Sequence, residues 1–138
     1  YDLFTFLTDS RVSDVTARAI TPRGEHYSAR DNFTATVSFE DGSVATLTYT
    51  SLGSPLHPEE QMEVFCDGTV HVLDDYKSLT VHGPGQGVET RATDKGQKQE
   101  LVAFAQALKS GGESPIQLWQ QEQAMRIAFA VEEQLSGG

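Results

Sequence analysis

Apolar and polar residues alternate twice between Asp31 and Ser51, and the two runs, DNFTATVSFE and SVATLTYTS, meet at Asp41-Gly42, a dipeptide strongly tied to tight β-hairpins. A two-residue loop there predicts Phe39 opposite Val44 and Val37 opposite Thr46, with Phe33, Ala35, Thr48 and Thr50 on the same face. The opposite face would then hold Thr34, Thr36, Ser38, Ala45, Leu47 and Tyr49. Neither face is wholly polar or continuously apolar, so both are expected to be covered, one only in part. Residues 60–66 and 69–73 repeat the device around Asp67-Gly68, which sets Phe65 opposite Val70 and Met62 opposite Leu73. Residues 12–20, ended by the turn Thr21-Pro22-Arg23-Gly24, and residues 76–82 bring the total to about six strands in a largely antiparallel sheet.

The period then changes. Leu101, Phe104, Ala105 and Leu108 follow i, i+3, i+4, i+7, and Lys109 precedes the stop Gly111-Gly112, which predicts a helix that packs one face. Ser114-Pro115-Ile116-Gln117 predicts the start of a second helix, with serine as the cap and proline at the first position. Its stripe is Ala124, Ile127, Ala128, Val131 and Leu135, with Glu122, Arg126 and Glu133 on the remaining surface. The polar, glycine-rich stretch 83–96 between sheet and helices reads as a mobile connection. The expected class is α+β: an open antiparallel sheet with helices on one face and the other face free for oligomerisation.

Length and charge narrow the partners. One domain over residues 1–138 buries an ordinary core. Ten basic against twenty acidic residues give a net charge of -10, which disfavours nucleic acid and anionic membrane surfaces. The single cysteine, Cys66, allows no internal disulfide, and no apolar run nears the roughly 18 residues of a membrane helix, so a reduced, cytoplasmic setting is expected. Leu3, Phe4, Phe6 and Leu7 read as the last turns of an apolar helix without the marks of a signal peptide, which suggests a domain of a longer protein.

Chemistry carried by the residues themselves is thin. Asp74 and Asp75 suit a turn better than a carboxylate pair, and Glu59, Glu60 and Glu63 have no basic or apolar setting to tune them. His26, His57, His71, His82 and Cys66 fall in no paired ligand spacing; a small buried thiol and a half-exposed strand histidine account for Cys66 and His71. The loop Gly83-Pro84-Gly85-Gln86-Gly87 has no helix start behind it to cradle a phosphate. No G-x-S-x-G or cysteine-nucleophile motif is present.

With YDLFTFL at the start and SPIQLWQQEQAMRIAFAVEE at the end, the hairpin sequence resembles the C-terminal domain of the glucose-fructose oxidoreductase and inositol dehydrogenase family, Gfo/Idh/MocA. The resemblance is nearest to members fused behind a zinc-type alcohol dehydrogenase module. It implies a substrate-binding and oligomerising domain beside a Rossmann domain that carries NAD or NADP, in an enzyme acting on a sugar or cyclitol. It also implies that Asp2 matches the last residue of a D-x-G-x-H-x-x-D pattern whose histidine would lie two residues before Tyr1. The dinucleotide loop, the lysine of the E-K-P segment and that histidine are absent here, so this chain alone is expected to be inactive and to bind no cofactor. In some relatives the loop that Ser54 to Glu60 resembles carries lysine near Glu59, and an acid there speaks against anion binding. The candidate substrate contacts are Asp2, Arg30, Asn32 and His57; no residue is assigned to catalysis or a metal. Each has a plainer alternative: a solvated helix end for Asp2, a surface ion pair for Arg30, a turn-shaping role for Asn32 and a loop position for His57. A non-catalytic assembly or ligand-binding module of the same fold is the competing function.

Overall fold

The structure, a computed structural model, describes residues 1–24, 26–89 and 93–136. Along the chain run α1 (Asp2–Thr8), β1 (Val12–Ala19), a 3-10 turn (Ala29–Asp31), β2 (Asn32–Phe39), β3 (Val44–Thr50), β4 (Gln61–Cys66), β5 (Thr69–Asp74), β6 (Ser78–His82), β7 (Val88–Glu89), α2 (Gln97–Ser110) and α3 (Leu118–Ser136). This is the expected α+β class with antiparallel pairing throughout, its strands divided between two sheets, β1-β2-β3 and β4-β5-β6-β7. Two compact units result. One holds Tyr1–Leu52 and the residues from Gly111 onward; the other is Gly53–Ser110.

In the first unit, the β2-β3 register differs from the expected one by a single residue. Ser38 faces Val44, Ala35 faces Leu47 and Phe33 faces Tyr49. The loop has three residues, because the Phe39 N–H bonds to the Ser43 carbonyl at 2.9 Å and Gly42 takes φ 90°. The Asp41 carboxylate holds this turn, accepting from the Ser43 amide and hydroxyl, both at 2.9 Å. A slip of one residue flips every side chain of β3 to the other face. Ala45, Leu47 and Tyr49 therefore join Phe33, Ala35, Val37 and Phe39, and the opposite face is left with Thr34, Thr36, Ser38, Val44, Thr46 and Thr48. The mixed faces expected from a two-residue loop are replaced by one apolar and one threonine-rich face.

The apolar face meets α3. Ala17, Ala35, Val37, Phe39, Ile127 and Val131 form the buried core, joined by Tyr1, Phe4, Val15, Phe33, Ala45 and Leu135. Each large aliphatic or aromatic member contributes about 1.5–3 kcal/mol relative to exposure. The stripe of α3 is as expected, but its start is later: Gln117, not Ser114, precedes the helix, and its N–H bonds to Gln120 Oε1 at 3.2 Å. That is the return half of a capping box, supplied here by glutamine.

In the second unit the same Asp-Gly dipeptide does form a two-residue turn, with Asp67 at φ 46° and Gly68 at φ 77°, and Phe65 faces Val70 and Met62 faces Leu73 as expected. Residues 83–87 return the chain into the short strand β7. Gly87 is required there, since a Cβ would lie 2.4 Å from the Leu79 carbonyl oxygen. The remainder of the expected mobile connection includes residues 90–92, which lie outside the described residues. Helix α2 spans its expected residues and ends at Gly111 with φ 65°, but none of its residues is buried, and Leu101 and Leu108 are 69% and 68% exposed. The expected packing of this stripe is not seen within its own unit.

Candidate functional site

Asp2 is the first residue of α1, and the helix beneath it is firmly seated. Tyr1 and Phe4 pack against the core, Thr5 is buried, and Thr5 Oγ1 accepts from Gln123 Nε2 at 3.2 Å. The helix closes at Asp9, in the left-handed region at φ 46°, whose N–H bonds to the Thr5 carbonyl at 2.9 Å. Against this fixed base the Asp2 carboxylate is exposed, with only the Tyr1 amino group near, at 3.6 Å. The Tyr1 hydroxyl is buried without a hydrogen-bonding partner among the described residues, and burial raises its pKa above the ordinary value.

Arg30 sits on the 3-10 turn and is already engaged: Nη2 donates to Ser136 Oγ at 2.9 Å and Nη1 lies 3.1 Å from Glu132 Oε1. Asn32 is 1% exposed and saturated. Its Nδ2 donates to the Ser28 carbonyl (2.9 Å) and Ser51 Oγ (3.0 Å), while Oδ1 accepts from Thr50 Oγ1 (2.8 Å) and the Ser51 amide (3.0 Å). Two donors and two acceptors are an asparagine's practical capacity, so Asn32 ties the turn before β2 to the end of β3. His57 belongs to the other unit, exposed in a loop where its N–H closes a turn onto the Ser54 carbonyl at 2.9 Å. The described contacts do not join these four residues into one cluster. Among the described residues, the exposed side chains of Asp2 and His57 are bonded to no other side chain, whereas those of Arg30 and Asn32 are engaged.

Elsewhere the second unit departs from the expected chemistry. Lys95 Nζ lies 2.8 Å from Glu60 and 3.4 Å from Glu59, giving these acids the basic partner that their local sequence lacks. The Glu60 bond raises the Lys95 pKa. Asp75, in the left-handed turn after β5, pairs with Lys77, which holds its pKa below the ordinary value and raises that of Lys77. Cys66 is exposed and not buried as expected, because it ends β4 beside the turn; it faces Thr69, while His71 faces Val64. Among the described residues, no three His, Cys, Asp or Glu side chains form a metal-binding group, and no helix is long and apolar enough to cross a membrane.

The residues that reading the sequence missed are two glutamines. Gln123 is buried, its Oε1 accepting from the Val12 amide (3.0 Å) and its Nε2 donating to the Ser10 carbonyl (2.9 Å) as well as to Thr5. Gln134 bonds the backbone of β1 farther along. Their signal was available: both fall at helical spacing from Ile127 and Val131, on the core side of α3.

A three-stranded antiparallel sheet with its apolar face under a C-terminal helix, and a short N-terminal helix pinned to the same core, define an α+β domain. The chain belongs to the Gfo/Idh/MocA C-terminal domain family, whose model matches residues 1–71. A search of curated proteins finds no match. Among solved structures it is similar to UDP-N-acetylglucosamine 3-dehydrogenase GnnA from Acidithiobacillus ferrooxidans, at 20% identity and a TM-score of 0.72 over 97% of this chain and 45% of that one. It is also similar to the WlbA dehydrogenase from Bordetella pertussis in complex with NADH and UDP-GlcNAcA, at 18% identity and 0.59 over 99% and 40%. At these identities the likeness is one of fold. The chain spans less than half the length of either structure.

Proposed function

We propose that this chain is the substrate-side and oligomerising domain of an NAD(P)-dependent oxidoreductase that acts on a hydroxyl or carbonyl of a sugar or cyclitol, in the cytoplasm. The observation that carries the proposal is the family match over residues 1–71, which includes α1 and the exposed carboxylate of Asp2. The two similar structures are dehydrogenases, one named for a UDP-sugar and the other solved with NADH and a UDP-sugar, which supports the substrate class.

Among the described residues, the glycine-rich loop is not built as a dinucleotide cradle. The glycine-rich loop 83–87 runs into β7 and not into a helix N-terminus, and Gly87 is closed by the Leu79 carbonyl. The cofactor is therefore assigned to a Rossmann domain of the parent protein. On this chain the chemistry falls to Asp2: its carboxylate accepts a hydrogen bond from a substrate hydroxyl and fixes the orientation of the neighbouring carbon, a positioning role. The rigid seating of α1 through Thr5 and Gln123 suits that task. Arg30 and Asn32 hold the turn before β2, and His57 as a substrate contact concerns the second unit by itself. The threonine-rich sheet face, whose cross-strand pairs include Thr16–Thr36, Thr36–Thr46 and Thr34–Thr48, is the surface for association with other copies.

The test is Asp2→Asn in the full enzyme. A lost hydrogen bond to a charged group costs about 1.5–3 kcal/mol, so kcat/KM should fall by roughly one to two powers of ten with cofactor affinity unchanged. Unchanged activity removes Asp2 from the site.

A further inference from the structure

The side of α3 turned away from the core carries Trp119, Glu122, Met125, Arg126 and Phe129, whose spacings of three and four place them in one stripe. Met125 and Phe129 are 53% and 64% exposed, on a helix whose other face holds Ile127 and Val131 buried. Large apolar side chains exposed in a row mark an interaction surface. At its N-terminal end the stripe borders a groove of about 260 Å³ lined by Arg11, Glu40, Trp119, Glu122 and Arg126. Trp119 is held in advance: the Arg11 guanidinium lies 4.2 Å from its ring centre, and its indole N–H donates to Gln117 Oε1 at 2.6 Å. Neither Glu122, Arg126 nor Glu40 has an ion-pair partner among the described residues.

We propose that this stripe docks on the same stripe of a second copy of the chain, the two α3 helices running antiparallel about a two-fold axis that crosses the stripe midway between Glu122 and Arg126. An isologous contact brings each residue to its symmetry mate's counterpart. With the axis at that midpoint, Glu122 of each copy meets Arg126 of the other, Trp119 meets Phe129, and Met125 lies near the centre. Charge selects this occupant. The chain as a whole carries -10 and Glu133 lies farther along the same side, but within the contact the antiparallel arrangement sets each Glu122 against the other copy's Arg126. Aromatic, methionine and arginine side chains of this kind are enriched where interfaces bury most of their surface. The contact is separate from association through the threonine-rich face and does not depend on the enzymatic reading.

Trp119 is the only tryptophan, so its fluorescence reports this surface alone. Raising the concentration of the chain from nanomolar to high micromolar should shift its emission to the blue and reduce acrylamide quenching, with saturation. Arg126→Glu and Glu122→Arg each oppose like charges, and each should weaken the transition roughly tenfold or more, while an equimolar mixture of the two variants restores it. Emission that does not depend on concentration, single variants that associate like the parent, or a mixture that fails to recover would each overturn the proposal.

Discussion

Gln134 stands in for a neighbouring strand at Ala17: its Oε1 accepts the Ala17 N–H at 2.8 Å while its Nε2 donates to the Val15 carbonyl at 2.7 Å. A side-chain amide has the donor and acceptor of a peptide group, so it can occupy one rung of a ladder. About three helical turns earlier, Gln123 does the same for Val12 and Ser10. The outer edge of β1 is thus satisfied by two points on α3.

Replacing the two glutamines should have unequal effects. Gln123→Leu leaves the Val12 amide, the Ser10 carbonyl and the Thr5 hydroxyl without their partner in a buried site, at about 1–3 kcal/mol for each group that water cannot reach. Gln134 is exposed, water can replace it, and Gln134→Leu should cost about 1 kcal/mol. Urea denaturation measures both, and equal losses would show that burial does not set the cost.

Acid stability should depend on two turn carboxylates. The Ser43 amide bond lowers the Asp41 pKa, and the Lys77 bond lowers that of Asp75, both from an ordinary 3.8. A depressed pKa in the folded state contributes stability that is complete above the unfolded value and is lost as pH falls through the folded one. Stability curves of Asp41→Asn and Asp75→Asn should therefore converge with the parent's as pH falls through the lowered folded values and reach their full separation above the ordinary 3.8. Lys77 and Lys95 act at the other limb: their raised pKa values give stability present below 10.5 that disappears as pH rises through the folded values. Parallel curves across the acid range would refute the assignment.

The register of β3 separates two substitutions that a two-residue loop would have interchanged. Thr46→Lys, on the threonine-rich face, should leave thermal stability nearly unchanged and reduce association seen by light scattering. Leu47→Lys, on the core face, should destabilise the fold by about 1–3 kcal/mol. The reverse outcome would restore the shifted register.

Much of this fold can be read from residue pattern, and the exceptions have physical causes. The Asp67-Gly68 register and the stripe of α3 follow directly from alternation and helical period. Asp41-Gly42 is ambiguous because the same dipeptide closes loops of two or three residues, and the choice depends on Ser43 and on which register segregates Leu47 and Tyr49 from the threonines. Polar Gln123 reads as surface unless its position beside Ile127 is given more weight than its type. Lys95 reaches Glu60 across thirty-five residues, a separation with no local signature. Of the candidate site, Asp2 is exposed as a ligand contact requires, whereas the saturation of Asn32 depends on Ser51, which pattern alone does not bring to it.

Calorimetric titration of the 138-residue chain with NAD(H) or NADP(H) should show no saturable heat, since the proposal assigns the phosphate cradle to another domain. One-site micromolar binding would require a different reading of this chain.

The glutamine rungs also impose an order on synthesis. The first strand leaves the ribosome early, yet the amides that complete its edge lie 111 to 119 residues farther along, after the whole of Gly53–Ser110. The second unit can finish folding while the first still waits for its closing helix, and contacts of such long separation form slowly. Loss of the last two helical turns, with Gln134 among them, would therefore be felt at the opposite end of the chain, as a nascent strand left open to pairing with its neighbours on the same messenger.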